Sequence, residues 1–285
     1  MKLSVVHAGL FKLDGGAMFG VVPKKMWHKL NPPDDQNMCT WATRCLLVQT
    51  GDRNILIDTG LGDKQDAKFR SHFSPHGDMT LLGSTEATGL RAEEITDVFI
   101  THFHFDHVGG AVTRTKDGKL VPTFPNATYW SNTPHFDWAY TPNPRERASF
   151  LKENFVPLKE LGKLNMIDVE DGVEWLPGIN VNFVYGHTEA MMLPNIQVGN
   201  KKVIFCADLI PSSHHIGLPY VMAYDVRPLE TMKEKEILLT RALEEKAILF
   251  FEHDRDTECA TLKRNERGRI VADQRMTLSK ALTTD

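Results

Sequence analysis

Residues 101–110 read Thr-His-Phe-His-Phe-Asp-His-Val-Gly-Gly, so three imidazoles and one carboxylate (His102, His104, Asp106 and His107) fall within six positions. Imidazole is the commonest metal-binding side chain. Nitrogen combined with carboxylate oxygen suits zinc, iron or manganese rather than calcium or magnesium. Packing offers no reason for such a cluster, because uncompensated polar groups are costly to bury. A purification tag would be terminal and monotonous, whereas this cluster is internal and interleaved with Phe103 and Phe105. The chemistry to expect is binding of a transition-metal ion.

Such donors need elements to hold them. Residues 97–101 form a short apolar, β-branched run that ends at His102, and residues 181–185 form another that ends at Gly186-His187. Residues 202–206 lead to Asp208, and residues 247–251 lead to His253. Runs of this length read as buried strands. Ligand sites gather where strands end and loops begin. The candidates are then five histidines and two aspartates: His102, His104, Asp106, His107, His187, Asp208 and His253. One zinc takes three or four protein ligands. Seven suits two ions if one carboxylate bridges. Alternate residues of an extended segment point the same way. His102 and His104 can therefore share one ion, while Asp106 and His107 face the other.

This constellation resembles the metallo-β-lactamase superfamily, with residues 56–60 (Leu-Ile-Asp-Thr-Gly) similar to the strand and turn that precede its metal motif. The resemblance implies an α/β fold, a four-layer αβ/βα sandwich. It implies two divalent ions, zinc first, with iron or manganese as alternatives. His102, His104 and His187 would take one ion, Asp106, His107 and His253 the other, and Asp208 would bridge. Asp58 would stand behind a ligand histidine and orient it. Within the superfamily the chain is similar to the branch of N-acyl-homoserine lactonases and methyl-parathion-type hydrolases, whose opening hairpin residues 15–24 resemble. That branch implies a hydroxide bridging the ions and attacking a lactone, ester or phosphotriester, with Asp106 as the catalytic proton shuttle. Two departures bear on substrate. No tyrosine follows closely after Asp208, and Glu189-Ala190 stands where many relatives carry Pro-Gly. The alternatives are a thioester hydrolase of glyoxalase II type and a non-hydrolytic metal or redox protein on the same scaffold.

The rest of the sequence bounds the setting. There is no linker-like run, so one domain over residues 1–285 is expected, with pseudo-equivalent halves at 1–170 and 171–285. A formal charge of −4 argues against a nucleic-acid partner. The absence of a long apolar run argues against a membrane partner. A small-molecule substrate and a homodimer are the partners expected. Four scattered cysteines form no disulfide framework, and the cytoplasm is the default location. Helices are expected at 228–246, 144–155 and 91–96, and loops at 132–138 and at the His214-His215 pair. Phe19, Phe103, Tyr220 and Tyr224 are the candidate substrate-pocket walls.

Overall fold

The computed structural model describes residues 1–283, so residues 284 and 285 of the expected 1–285 domain lie outside the described residues. The chain divides into two compact units. The first comprises Met1–Leu10 and Thr43–Glu170; the second comprises Phe11–Ala42 and the chain from Asp171 onward.

Down the chain run β1 (Lys2–Asp14), β2 (Met38–Thr50), β3 (Arg53–Ile57), β4 (Asp97–Phe99), β5 (Val112–Arg114), β6 (Leu120–Pro122), β7 (Thr128–Ser131) and β8 (Leu164–Met166). Six of them make one sheet in the order β1-β2-β3-β4-β7-β8, and β5 pairs with β6 alone. The strand β4 lies parallel to both β3 and β7, with Phe99 opposite Ile57 and Trp130. A central parallel strand is covered on both faces, which is why Asp97–Phe99 is buried throughout and continues into a buried Ile100. Because β3 and β4 run the same way, Asp58 and His102 follow the same end of neighbouring strands. The core of this unit gathers Val98, Ile100, Phe103, Tyr129, Phe136 and Phe155, among others.

The second unit holds β9 (Val173–Leu176), β10 (Ile179–Val184), β11 (Met191–Val198), β12 (Lys201–Phe205), β13 (Ile248–Phe250), β14 (Cys259–Arg264) and β15 (Ile270–Met276). They form one sheet in reverse chain order, β15 to β9. Its one parallel pair is β12 with β13, Phe205 opposite Phe250. Parallel strands end on the same side, so Asp208 and His253 emerge side by side. The 17-residue helix Pro228–Glu244 packs on β14 and β15. Proline at its start suits a first turn, and Thr231, Lys235, Leu238, Leu239 and Ala242 form its buried stripe.

Several local expectations are corrected. Residues 144–155 make turns and a 3-10 turn at Lys152–Asn154 instead of a helix. The Asn143 side chain accepts the amides of Arg145 and Glu146, at 2.9 and 3.1 Å, and closes a tight turn in place of the first helical one. Residues 15–24 are no hairpin: Asp14 caps the short helix Gly15–Phe19, and Lys24–Trp27 follows. A Cβ on Gly15 would meet the Trp27 ring at 2.5 Å, so this close packing needs glycine. Residues 132–138 are helical too, because Asn132 caps Thr133–Tyr140 and Pro134 fits its first turn. The expected helix at 91–96 is a 3-10 turn, Ala92–Glu94.

Candidate metal centre

In the first unit the chain turns sharply after β4, and the short helix Phe105–Val108 carries Asp106 and His107. All four donors of this unit are buried. His102 Nε2 lies 3.1 Å from His104 Nδ1, and the ligand atoms of Asp106 and His107 lie within 4.8 Å of each other. In the second unit one carboxylate faces two rings. Asp208 Oδ2 is 3.1 Å from His187 Nε2, and Asp208 Oδ1 is 3.1 Å from His253 Nε2. One oxygen per imidazole is the presentation a bridging carboxylate requires. Ala207 precedes Asp208 in the left-handed region, at φ 41°, a strained backbone of the kind that functional sites retain.

The outer nitrogens of the five rings decide where the protons sit. His107 Nδ1 faces Asp58 Oδ2 at 3.2 Å, and His187 Nδ1 faces Asp225 Oδ1 at 2.7 Å. His253 Nδ1 donates to the Ala42 carbonyl at 2.7 Å. Thr101 gives its hydroxyl proton to Asp58 Oδ2 at 2.6 Å, so the 3.0 Å contact between its oxygen and His102 must use a proton on His102 Nδ1. His104 Nε2 faces Glu146 Oε1 at 3.6 Å. Four outer nitrogens thus meet an acceptor within hydrogen-bond range, and the fifth, on His104, faces a carboxylate just beyond it; a ring protonated only on its outer nitrogen turns a lone pair inward. His102 Nε2 and His104 Nδ1 lie 3.1 Å apart, so either one donates to the other or, with both lone pairs facing inward, a cation must lie against them. Two zinc–nitrogen bonds of about 2.0–2.1 Å at a tetrahedral angle put their nitrogens about 3.3 Å apart. The donor chemistry fits a metal.

Asp58 supports more than one of these rings. Its backbone is left-handed, at φ 58°, and its amide bonds the Phe99 carbonyl at 2.9 Å. Its carboxylate accepts the Thr101 amide at 2.7 Å besides the Thr101 hydroxyl and His107. One side chain thus orients His107 directly and His102 through Thr101. The supports Asp225, Glu146, Thr101 and the Ala42 carbonyl carry no signal in the sequence. They lie one to 211 positions from the rings they hold, with no shared spacing.

Burial would depress the His187 imidazole, but Asp208 and Asp225 outweigh it and hold its pKa up at about 10. A ring so placed between two carboxylates must release a proton before it binds a cation, so metal binding here is coupled to pH.

The candidate pocket residues are placed as follows. Phe103 has no exposed surface and stacks between His135 and Phe155 at 5.1 and 4.7 Å, which makes it core and not a wall. Phe19 is also fully buried, stacked between Trp27 at 5.2 Å and His215 at 4.8 Å. Tyr220 is half-buried and meets Phe19 edge-on at 6.2 Å, and Tyr224 is half-buried beside Asp225. His215 is no surface residue. Its ring is buried among aromatics, Nε2 donates to the Met18 carbonyl at 2.9 Å, Nδ1 meets Ser212 at 2.7 Å, and burial pushes its pKa down to about 3. The loop carrying Tyr220 is tied by Lys235, whose Nζ donates to the carbonyls of Gly217 and Tyr220 at 2.9 and 2.8 Å.

The model of the metallo-β-lactamase superfamily matches residues 40–253. An N-acyl homoserine lactonase of Bacillus cereus is 24% identical over 272 residues, covering 90% of this chain and 94% of its own. A probable metal-dependent hydrolase from Staphylococcus aureus superposes with a TM-score of 0.86 at 26% identity, over 97% of this chain and 98% of that one. A dizinc quorum-quenching lactonase in complex with a product superposes at 0.78 with 21% identity, over 97% and 95%. The mixed α/β fold is the one these structures share. Among the described residues no helix is long and apolar enough to cross a membrane.

Proposed function

The chain belongs to the metallo-β-lactamase superfamily, and from that premise we propose that it is a metal-dependent hydrolase with a dinuclear centre, acting on a lactone, ester or phosphotriester. His102, His104 and His187 would hold one ion, Asp106, His107 and His253 the other, and Asp208 both. The residues of both units would then serve one site, and the single-domain reading is part of the proposal. The observation that carries it is the proton accounting: five buried rings, four with the outer nitrogen bonded to an acceptor and the fifth facing a carboxylate at 3.6 Å, all with the inner nitrogen directed at other candidate donors.

Divalent ions in such a cage supply charge that polarises an electrophilic oxygen and bring the pKa of water down to about 7. The protein's part is orientation and proton transfer. Asp58 and Asp225 hold His102, His107 and His187 in the tautomers that donate lone pairs. Asp106 is held within 3.9 Å of His107 and would pass a proton to the leaving oxygen. Asp208 splits its two oxygens between two rings and would keep the ions together. The lactonases among the relatives support a lactone first, and the dizinc neighbour supports zinc. Four free, buried cysteines support a reducing compartment such as the cytoplasm.

The test is a substrate panel of lactone, ester, thioester, phosphotriester and β-lactam, run on protein as purified, after chelation and after zinc is restored. Hydrolysis of a lactone or phosphotriester that disappears with the metal and returns with zinc is the expected result. Stoichiometric metal with no hydrolysis of any member would remove the enzyme reading.

A further inference from the structure

The first unit contains a second device, built from the segment whose helix the sequence suggested and the structure withholds. Three consecutive residues of the metal motif are gripped from residues 133–150. The Phe103 amide donates to His135 Nε2 at 2.8 Å. The His104 ring faces Glu146 Oε1 at 3.6 Å. The Phe105 amide donates to the Ser149 carbonyl at 3.0 Å. Phe150 closes over His104, ring centroids 4.7 Å apart.

Glu146 is the chemically specific member of this strap. It is buried, with its side chain at 3% exposure. Its other oxygen, Oε2, accepts from Trp138 Nε1 at 2.8 Å and from the Asn143 amide. Asn143 in turn caps the amide of Glu146 itself. These bonds fix the carboxylate plane and leave Oε1 aimed at the imidazole. A gap of 3.6 Å is too narrow for an intervening water, and a small tilt of the ring closes it to hydrogen-bond range. A carboxylate at that nitrogen favours a proton on Nε2, which leaves Nδ1 as the donor atom toward His102. The local turn that breaks the helix at 144–155 is what brings this carboxylate down. A sequence pattern that fails locally is expected at a site under functional constraint.

We propose that Glu146 is a positioning residue for the metal centre, selecting the Nε2-protonated tautomer of His104 so that Nδ1 binds the ion. The proposal rests on the dinuclear reading above. An outer carboxylate of this kind is typically worth about 10–100-fold in metal affinity. Glu146→Gln keeps the shape but cannot keep the bonding. With its amide nitrogen toward His104, a donor meets a donor; with the amide reversed, it faces Trp138 and Asn143 with the same conflict. Trp138→Phe is the companion variant, because it removes one bond to Oε2 and leaves the charge on Oε1.

The experiment combines zinc affinity, by competition with a chelating dye, and the ring nitrogen spectra of the metal-free protein. For the wild type, two zinc ions and a His104 proton on Nε2 are expected. In Glu146→Gln, zinc affinity should fall about 10–100-fold and a population protonated on Nδ1 should appear, whereas Trp138→Phe should keep the tautomer and lose less affinity. Wild-type protein with the proton on Nδ1 overturns the proposal without any variant. So does Glu146→Gln with unchanged zinc affinity, or an equal loss in both variants. Wild-type protein that binds no zinc overturns this proposal and the dinuclear reading together, whereas a wild type that binds two with Glu146→Gln unaffected overturns this proposal alone.

Discussion

The donors of the two units are delivered in opposite ways. In the first, four come from one turn, so their spacing is set by a few adjacent dihedrals. In the second, His187, Asp208 and His253 each stand just beyond a different strand, β10, β12 and β13, and their spacing is set by sheet register. The supports differ as well. Asp58 serves two rings of the turn, one through Thr101, whereas Asp225 serves His187 alone and His253 leans on a backbone carbonyl. A local motif tolerates damage elsewhere in its sheet. A site assembled from strand ends does not, because a slip of one residue turns a side chain to the opposite face.

Mutation can break or sharpen this contrast. The largest effect is expected at the turn itself. Asp106→Asn should lower hydrolysis by about 10²–10⁴-fold while far-ultraviolet circular dichroism and the melting curve keep the folded signature. Wild-type turnover in that variant would take Asp106 out of the mechanism. The next comparison sets the supports against each other. Asp58→Asn loosens two rings and Asp225→Asn loosens one, so zinc affinity should fall in both, each within about 10–100-fold, and further in the first. Equal losses would mean that the Thr101 relay to His102 carries no weight.

The smallest effect concerns the loop behind Tyr220. Lys235 is fully buried on the helix Pro228–Glu244, and burial lowers its pKa from 10.5 to about 7. Between those values the unfolded chain holds a proton that the folded protein does not, so folding stability from this group rises with pH and is lost as pH falls toward 7. Replacing it with methionine leaves the carbonyls of Gly217 and Tyr220 without their donor, at about 1–3 kcal/mol. Urea unfolding near pH 6.5 and pH 9.5 should show the stability gap between wild type and Lys235→Met widening at the higher pH. A gap that stays constant or narrows would mean that the amine is charged in the fold throughout.

The candidate donors were legible because each obeys a local rule. His102 to His107 form a dense polar run that no core explains, and His187, Asp208 and His253 each follow an apolar run that became a strand. Their supports were not legible. Asp225 and the Ala42 carbonyl reach their rings across 38 and 211 positions, so only the folded sheet brings them into range. The pair His214-His215 misled for the same reason: side chains adjacent in sequence take different environments, and stacking on Phe19 buries only the second. Residues 144–155 carried helical residue types, but tertiary bonds to Glu146 and Ser149 outweighed that propensity. Phe103 and Phe105 alternate with ligands, and that alternation said nothing of whether the rings face a pocket or the core.

Under the proposed function, His102, His104, Asp106, His107, His187, Asp208 and His253 would hold two cations. Anomalous diffraction from crystals grown with zinc tests it most directly. Two peaks per chain are predicted, one at about 2.0–2.2 Å from donor atoms of His102, His104 and His187, the other equally near Asp106, His107 and His253, with Asp208 reaching both. A single peak away from these residues, or none in fully zinc-equilibrated crystals, would contradict it.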